Sequence, residues 1–343
     1  MKAVVQRDFG GPEVLRLEDV PAPRPAAGEV LIRVGAVTIN RTLDLAVRRG
    51  DYHIKPDLPH VLGTDPSGTV ERVGPGADTY WTGQRVAVAG QIRCGVCPPC
   101  LAGNDSACES TKHLGVNRWG GYAELLTVPV KNLVPLPPNL SFAEASVIVR
   151  HFPTAFQLLG RAQLKAEEWV LVMGAAGALG SCLVQAAKMQ GAHVIAGAGS
   201  DERVDSCLKH GADFGVNYRR QDLAAEVMRL TGGHGADVVF ENIADPTLWP
   251  GAFNSLAYLG RLVTAGAHGG GTVPLDVTRL YLRRLQIIGS AGSRRADVER
   301  TLEAVAAGRI HAVIGRIMPL AEAAEAHCLV ETNAVIGKVV LTP

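Results

Sequence analysis

The sequence predicts an α/β protein built from a mostly-β domain and a six-stranded, doubly wound parallel sheet. After about residue 150, the apolar runs VLVMG, HVIAGA, FGVNY, DVVFEN, RLVTAGA and LQIIGS alternate with helical patterns. Before about residue 130, short β-like runs are bounded by Gly, Pro and Asp, and a cluster of cysteines interrupts them. The chain has 343 residues, 47% hydrophobic and 20% charged, enough for two domains and inconsistent with disorder.

In the first part the runs KAVVQ, EVLIRVGAV, GTVERVG, RVAVAG and YAELLTV read as strands. Within 29–34, Val30, Ile32 and Val34 alternate with Leu31 and Arg33, the two-residue period of a half-buried strand. In the second part, strict alternation of strand and helix implies right-handed crossovers and a parallel sheet covered on both faces. Gly191, Gly211 and Gly232 each follow a helical run, where a left-handed residue closes a helix. The last fifty residues hold two helical runs and the closing strand GKVVL, which do not extend the six-strand series and are expected to return to the first domain. The expected boundaries are therefore 1–150 with 291–343, and 151–290.

A formal charge of +1 gives no sign of a nucleic-acid or membrane-surface partner and leaves a small-molecule substrate. The N-terminus lacks the apolar run of a secretory signal, so a cytoplasmic location is expected. The uncharged stretch 169–187 has the length of a membrane span, but Gly174, Gly177 and Gly180 make it a strand, a turn and a helix.

That stretch carries the nucleotide signal. Ala175, Gly177 and Gly180 form A-x-G-x-x-G between a buried strand and a helix, with Ala in place of the first Gly. Gly177 lets backbone approach a pyrophosphate held at the helix N-terminus, and Gly180 lets helix and strand pack closely. The cofactor residues expected here are Ala176, Gly177, Ala178, Leu179 and Gly180. At the end of the second strand, where an acidic residue would bind a ribose 2′-hydroxyl, the chain has Ala198 and Gly199. Ser200, Arg203, Tyr218 and Arg219 are placed to meet a 2′-phosphate, which favours NADP(H) over NAD(H); Ser200 also reads as a helix N-cap. Asn242, Ala265, Gly266 and Ser290 end later strands, on the sheet edge where ligands bind.

Cys94, Cys97, Cys100 and Cys108, in a lobe over 93–110, are spaced x2, x2 and x7. Four thiolates gathered by tight turns suit one tetrahedral structural Zn²⁺; an iron–sulfur cluster is the competing reading, against which the fourth cysteine is displaced. A site closed by four thiolates has no position left for substrate. Cys182, Cys207 and Cys328 read as small buried hydrophobes.

Such a lobe within an N-terminal β domain, followed by a dinucleotide domain, resembles the medium-chain dehydrogenase/reductase superfamily, in particular its zinc-containing alcohol dehydrogenases and quinone oxidoreductases. GGPEVL, GTDPSGTVERVGPG, the cysteine lobe, AAGALG and GKVVL carry the resemblance along essentially the whole chain. It implies a GroES-like catalytic domain, a Rossmann domain, and a homodimer or homotetramer. It also implies where a catalytic zinc would sit, and there the sequence departs. The alcohol dehydrogenases have Cys in the segment reading INRTLD here, Gly-His-Glu at Gly63-Thr64-Asp65, and Cys or Asp near Arg150. Asn40 or Arg41, Thr64 and Arg150 are poor zinc ligands; Asp65 alone keeps a carboxylate, which leaves a nonstandard metal site and alcohol or aldehyde oxidation as the alternative. Without a metal to hold an alkoxide, hydride transfer suits an acceptor that moves charge to an enolate oxygen. The expected reaction is therefore reduction of an α,β-unsaturated carbonyl or quinone. Asn40, Tyr52 and Arg150 are the expected reacting groups, and Thr154, matched by position, is expected beside the nicotinamide.

Overall fold

The computed structural model describes all of residues 1–343. The chain divides into two compact units, Met1–Arg150 with His311–Pro343, and His151–Ile310. The division falls inside the helix Phe142–Ala162.

The first unit is built on Glu29–Thr38, which pairs antiparallel with Pro66–Val73, Leu125–Pro129 and the closing strand Lys338–Thr342. All five runs read as strands do form strands. Val30, Ile32 and Val34 pack with Val70, Val86 and Leu126 in one core cluster. Leu31 is buried too, so of the two intervening residues only Arg33 meets solvent. A second, three-stranded sheet sets Lys2–Gln6 between Leu15–Asp19 and His60–Val61. The C-terminal strand returns to this unit as expected, but it brings an unexpected parallel neighbour, Ile314–Pro319. That strand is mostly exposed and has Gly315 at its second position, so it lacks the buried period a sequence reading needs.

The second unit is one six-stranded sheet, parallel throughout, ordered Phe214–Asn217, His193–Ala198, Trp169–Met173, Ala236–Glu241, Leu256–Thr264, Gln286–Gly289. Chain direction across the sheet reverses at Trp169–Met173, the switch point beside which doubly wound sheets bind nucleotides. Gly191, Gly211 and Gly232 have φ of 86°, 103° and 62°, the left-handed conformation expected past each helix end. This unit continues to Ile310, beyond the 290 expected from sequence. The helix Arg295–Ala306 stays with it because the Arg300 guanidinium lies 4.4 Å from the Phe156 ring centre and donates to Gln190 Oε1 at 2.9 Å. No helix is long and apolar enough to cross a membrane.

Candidate functional site

The cysteine lobe folds as a chain of tight turns. Gly95 and Gly103 take φ of 80° and 73°, and the short helix Pro98–Leu101 starts on two prolines that need no N–H partner. These turns bring the sulfurs of Cys94, Cys97, Cys100 and Cys108 within 4.8 Å of one another. Cys94 Sγ is 4.0 Å from Cys100 Sγ and 3.6 Å from Cys108 Sγ. Four sulfurs at about 2.3 Å from a tetrahedral Zn²⁺ would be about 3.8 Å apart, so the cage fits that ion. The backbone N–H of Cys94 points at Cys108 Sγ and draws that thiol down to about 6, whereas Cys97 in the same cage is pushed up to about 12. Of the other cysteines, Cys182 and Cys207 are buried as expected. Cys328 is exposed and corrects the expectation of a buried thiol: it lies on the outer side of the helix Ala323–Glu331, whose buried face is Ala323, Ala326 and His327.

The nucleotide turn lies at the switch point. Gly177 caps the helix Ala178–Met189 without a side-chain bond, and Ser181 N–H makes the first return bond, to Gly177 O at 2.9 Å. The N–H groups of Ala178, Leu179 and Gly180 therefore precede any intrahelical acceptor, a ready anion site. Gly180 is fixed by packing: a Cβ there would sit 2.2 Å from Gly174 O and 2.7 Å from Ala175 Cα. Ala176 is buried under the turn.

Two expected cofactor residues carry buried polar atoms that no protein group satisfies. Asn242, only 8% exposed, has both amide Nδ2 and Oδ1 unpaired, and Ser290 Oγ is likewise unpaired. Both residues directly follow strands on the same sheet edge, Ala236–Glu241 and Gln286–Gly289. Orphaned polar atoms are costly in a closed protein and call for a partner such as an ordered water or a ligand. Gly266 packs against Asn242, a Cβ there meeting Asn242 O at 2.7 Å, with Ala265 beside it. Thr154 is half-buried on the helix Phe142–Ala162.

At the end of His193–Ala198, Ser200 is indeed an N-cap, accepting from Arg203 N at 3.4 Å. A Cβ on Gly199 would lie 3.2 Å from Tyr218 Oη and 3.4 Å from Arg219 Nε. Burial raises the Tyr218 phenol pKa, and Arg219 and Arg203 pull it back, so both guanidinium groups stand within electrostatic reach of it. Asp201 is held by Asn217 Nδ2 at 2.6 Å and by Arg220.

The remaining expected residues form a polar network in the first unit. Asn40 and Asp65 are 5% and 3% exposed. Asn40 Nδ2 donates to Thr64 Oγ1 at 2.9 Å and to Asp65 Oδ2 at 2.7 Å. Thr38 Oγ1 donates to the same carboxylate oxygen at 3.5 Å. Arg150 Nε lies 3.9 Å from the other oxygen, Asp65 Oδ1, with its side chain 28% exposed. Asn40, expected among the reacting groups, is buried with its amide engaged at both ends, by Thr64 and Asp65 on one side and Lys338 on the other. Tyr52 is half-buried, and burial pushes its phenol pKa up against the opposing pull of Arg150. His113 is drawn down to about 4 by burial and then by Arg150, Arg93 and His53, which keeps it neutral near pH 7.

Sequence reasoning missed two members of this network. Asp44 accepts from Asn40 N at 2.7 Å and Gly63 N at 3.2 Å, and burial, with Asp65 nearby, raises it to about 7. Lys338, 4% exposed, donates to Ile39 O at 2.6 Å and Asn40 Oδ1 at 2.8 Å. The signal for Lys338 was a cation inside the apolar closing strand, where a charge is retained only if paired.

Comparison with known proteins agrees with both units. Residues 26–138 match the family model of the alcohol dehydrogenase GroES-like domain, and residues 178–307 that of the zinc-binding dehydrogenase domain. The chain is 32% identical to an alcohol dehydrogenase of Geobacillus stearothermophilus, with 99% of each covered. It is 30% identical to a quinone oxidoreductase of Rattus norvegicus, with 99% of this chain and 97% of that one covered. A crystal structure of an NAD-dependent alcohol dehydrogenase matches with a TM-score of 0.95 at 40% identity, both chains covered in full.

Proposed function

Because the chain belongs to the medium-chain dehydrogenase/reductase superfamily, as a zinc-binding, NAD(P)-dependent oxidoreductase of small molecules, the open question is which reaction it runs, and we propose the reduction of an activated double bond by NADPH. The substrate class is an α,β-unsaturated carbonyl or a quinone, and the one zinc is structural, held by Cys94, Cys97, Cys100 and Cys108. One observation carries the reading. The positions where the family's alcohol dehydrogenases hold a catalytic zinc carry Asn40 or Arg41, Thr64 and Arg150 here, and Asn40, Thr64, Asp65 and Arg150 engage one another in hydrogen bonds and a charge pair. An amide, a hydroxyl and a guanidinium are a poor donor set for Zn²⁺.

A bound nicotinamide dinucleotide supplies the hydride. Arg150, 3.9 Å from Asp65, stabilises the negative charge that develops on the carbonyl oxygen, as a fixed cation does in a partly dry site. The Tyr52 phenol, raised by burial, stays protonated at neutral pH and so donates a hydrogen bond or a proton. The N–H groups of Ala178, Leu179 and Gly180 would hold the pyrophosphate of the nucleotide, and the orphaned atoms of Asn242 and Ser290 would be free to pair with other polar groups of the cofactor. The 2′-phosphate is read by Arg203, Tyr218 and Arg219 around Gly199.

A second copy of the chain completes the molecule as a homodimer. The strand Gln286–Gly289 is paired on one side only, and Tyr258, Val277, Tyr281, Leu282 and Ile287 are exposed on the surrounding segments. An open, apolar strand edge is self-complementary across a two-fold axis and otherwise prone to aggregation.

Elemental analysis with a substrate screen tests the reaction. One zinc per chain, with NADPH oxidised by enones or quinones, supports the reading. Two zincs per chain with oxidation of simple alcohols would overturn it in favour of alcohol dehydrogenation.

A further inference from the structure

A lysine almost fully buried in a β-sheet needs a reason, because an ammonium taken out of water costs several kcal/mol unless it is well paired. Lys338 belongs to the closing strand, far in sequence from the groups it meets: Ile39 O, Asn40 Oδ1 and the field of Asp44. Ammonium only donates, so it fixes which end of the Asn40 amide is oxygen. The other end is then NH₂, and it donates to Thr64 Oγ1 and Asp65 Oδ2. The amide is clamped from both sides, and its backbone N–H is tied to Asp44.

The count of charges gives the clamp its purpose. Two buried acids, Asp44 and Asp65, lie with two cations, Lys338 and Arg150; burial raises Asp44 to about 7, so Asp65 is the acid that most needs a partner near neutral pH. Asp65 takes a short bond from Asn40 on one oxygen, and Arg150 Nε stays at 3.9 Å from the other, beyond direct hydrogen-bond contact. Were Asn40 or Lys338 absent, Asp65 would lack its partner and the carboxylates would lack a cation. The nearest remaining compensation is a direct Asp65–Arg150 ion pair.

We propose that Lys338 is a positioning residue: by clamping Asn40 on Asp65 it keeps the Arg150 guanidinium drawn back from the carboxylate and turned to the substrate oxygen. The proposal rests on the role given above to Arg150. It makes the closing strand part of the reaction machinery, through one amide, without contact between Lys338 and substrate.

The test compares wild type with Lys338→Met, Lys338→Arg, Asn40→Ala and the double variant Lys338→Met/Asn40→Ala, using NADPH and 1,4-benzoquinone. The expected loss in kcat for Lys338→Met and for Asn40→Ala is about 100-fold each, the scale of a misplacement on the order of 1 Å. The double variant should lose no more than either single one, because both break the same clamp. Lys338→Arg, which keeps the charge and the donors, should recover most of the rate, and the NADPH dissociation constant should stay within about twofold throughout. Additive losses, or losses matched by weaker NADPH binding, would overturn the proposal in favour of a structural lysine. If Lys338→Met does not fold, Asn40→Ala carries the same expectation, since Lys338 then keeps its bond to Ile39 O. A readout independent of turnover separates this inference from the reaction assigned above. In a crystal structure of either single variant, Arg150 should close from 3.9 Å to direct contact with Asp65. An unchanged distance refutes the positioning role, whereas an inactive wild type refutes the reaction alone.

Discussion

The proposed preference for NADPH should be inverted by one substitution, Gly199→Asp. Gly199 does not have positive φ, so its backbone accepts a side chain. The new Cβ would stand 3.2 Å from Tyr218 Oη and 3.4 Å from Arg219 Nε, tight contacts that a shift of a few tenths of an ångström relieves. Its carboxylate would then pair with the Arg219 guanidinium and stand where the 2′-phosphate binds. At about 4 Å and an effective dielectric near 20, two unit charges repel by about 4 kcal/mol. Exposure of this sheet edge to water reduces that, so about 3 kcal/mol, or about 150-fold in NADPH affinity, is the expected loss. NADH should gain about tenfold, because its 2′-hydroxyl would donate to the new carboxylate. Fluorescence titration with each nucleotide reads both constants. A wild type that binds NADH and NADPH equally, or a variant that weakens the two alike, would refute the assignment of Gly199, Tyr218 and Arg219 to the 2′-phosphate.

Cys100→Ser should lower the zinc content from about one per chain to near none and depress the melting temperature, since a site of four thiolates loses a quarter of its ligands; retained zinc and an unchanged melting temperature would show that the lobe holds no metal there. Asp44 should make the fold less stable as pH rises. Its pKa, about 7 when folded against an ordinary 3.8, means that the folded state binds the proton more tightly, so this contribution is present below about pH 4 and is lost as pH climbs through 7. Urea unfolding between those limits should show wild type losing more stability than Asp44→Asn, and parallel profiles would argue against the shift. Ile287→Lys, on the open strand edge, should convert a dimer to monomers by light scattering; a dimer that survives it is assembled through another face.

What could be read from the sequence depended on whether a feature is local. The six strands of the second unit carry continuous apolar runs, and the glycines at 191, 211 and 232 mark helix ends through backbone geometry that other residues rarely adopt. The cysteine lobe declares itself because its four ligands fall within one short segment. The end of the second unit was misplaced because what holds the helix Arg295–Ala306 there is a contact of Arg300 with Phe156 and Gln190, residues more than a hundred positions away. Strands such as Leu15–Asp19, charged and mostly exposed, gave no period to detect.

The polar network shows the same limit at the level of chemistry. Sequence alone could say that Asn40, Thr64 and Arg150 are poor metal ligands, but not what they do in place of a metal. That answer depends on Lys338, whose ammonium reaches Asn40 only because the closing strand pairs antiparallel with the end of Glu29–Thr38. A divalent ion between carboxylates would neutralise them and polarise a substrate oxygen in one stroke. In the proposed reading the two tasks fall to separate cations: Lys338, sealed from solvent, lies with the buried acids, and Arg150, 28% exposed, meets the substrate. A fixed guanidinium stabilises an enolate oxygen but cannot acidify an alcohol as a metal does, which is why that reading expects carbonyl-conjugated double bonds over simple alcohols.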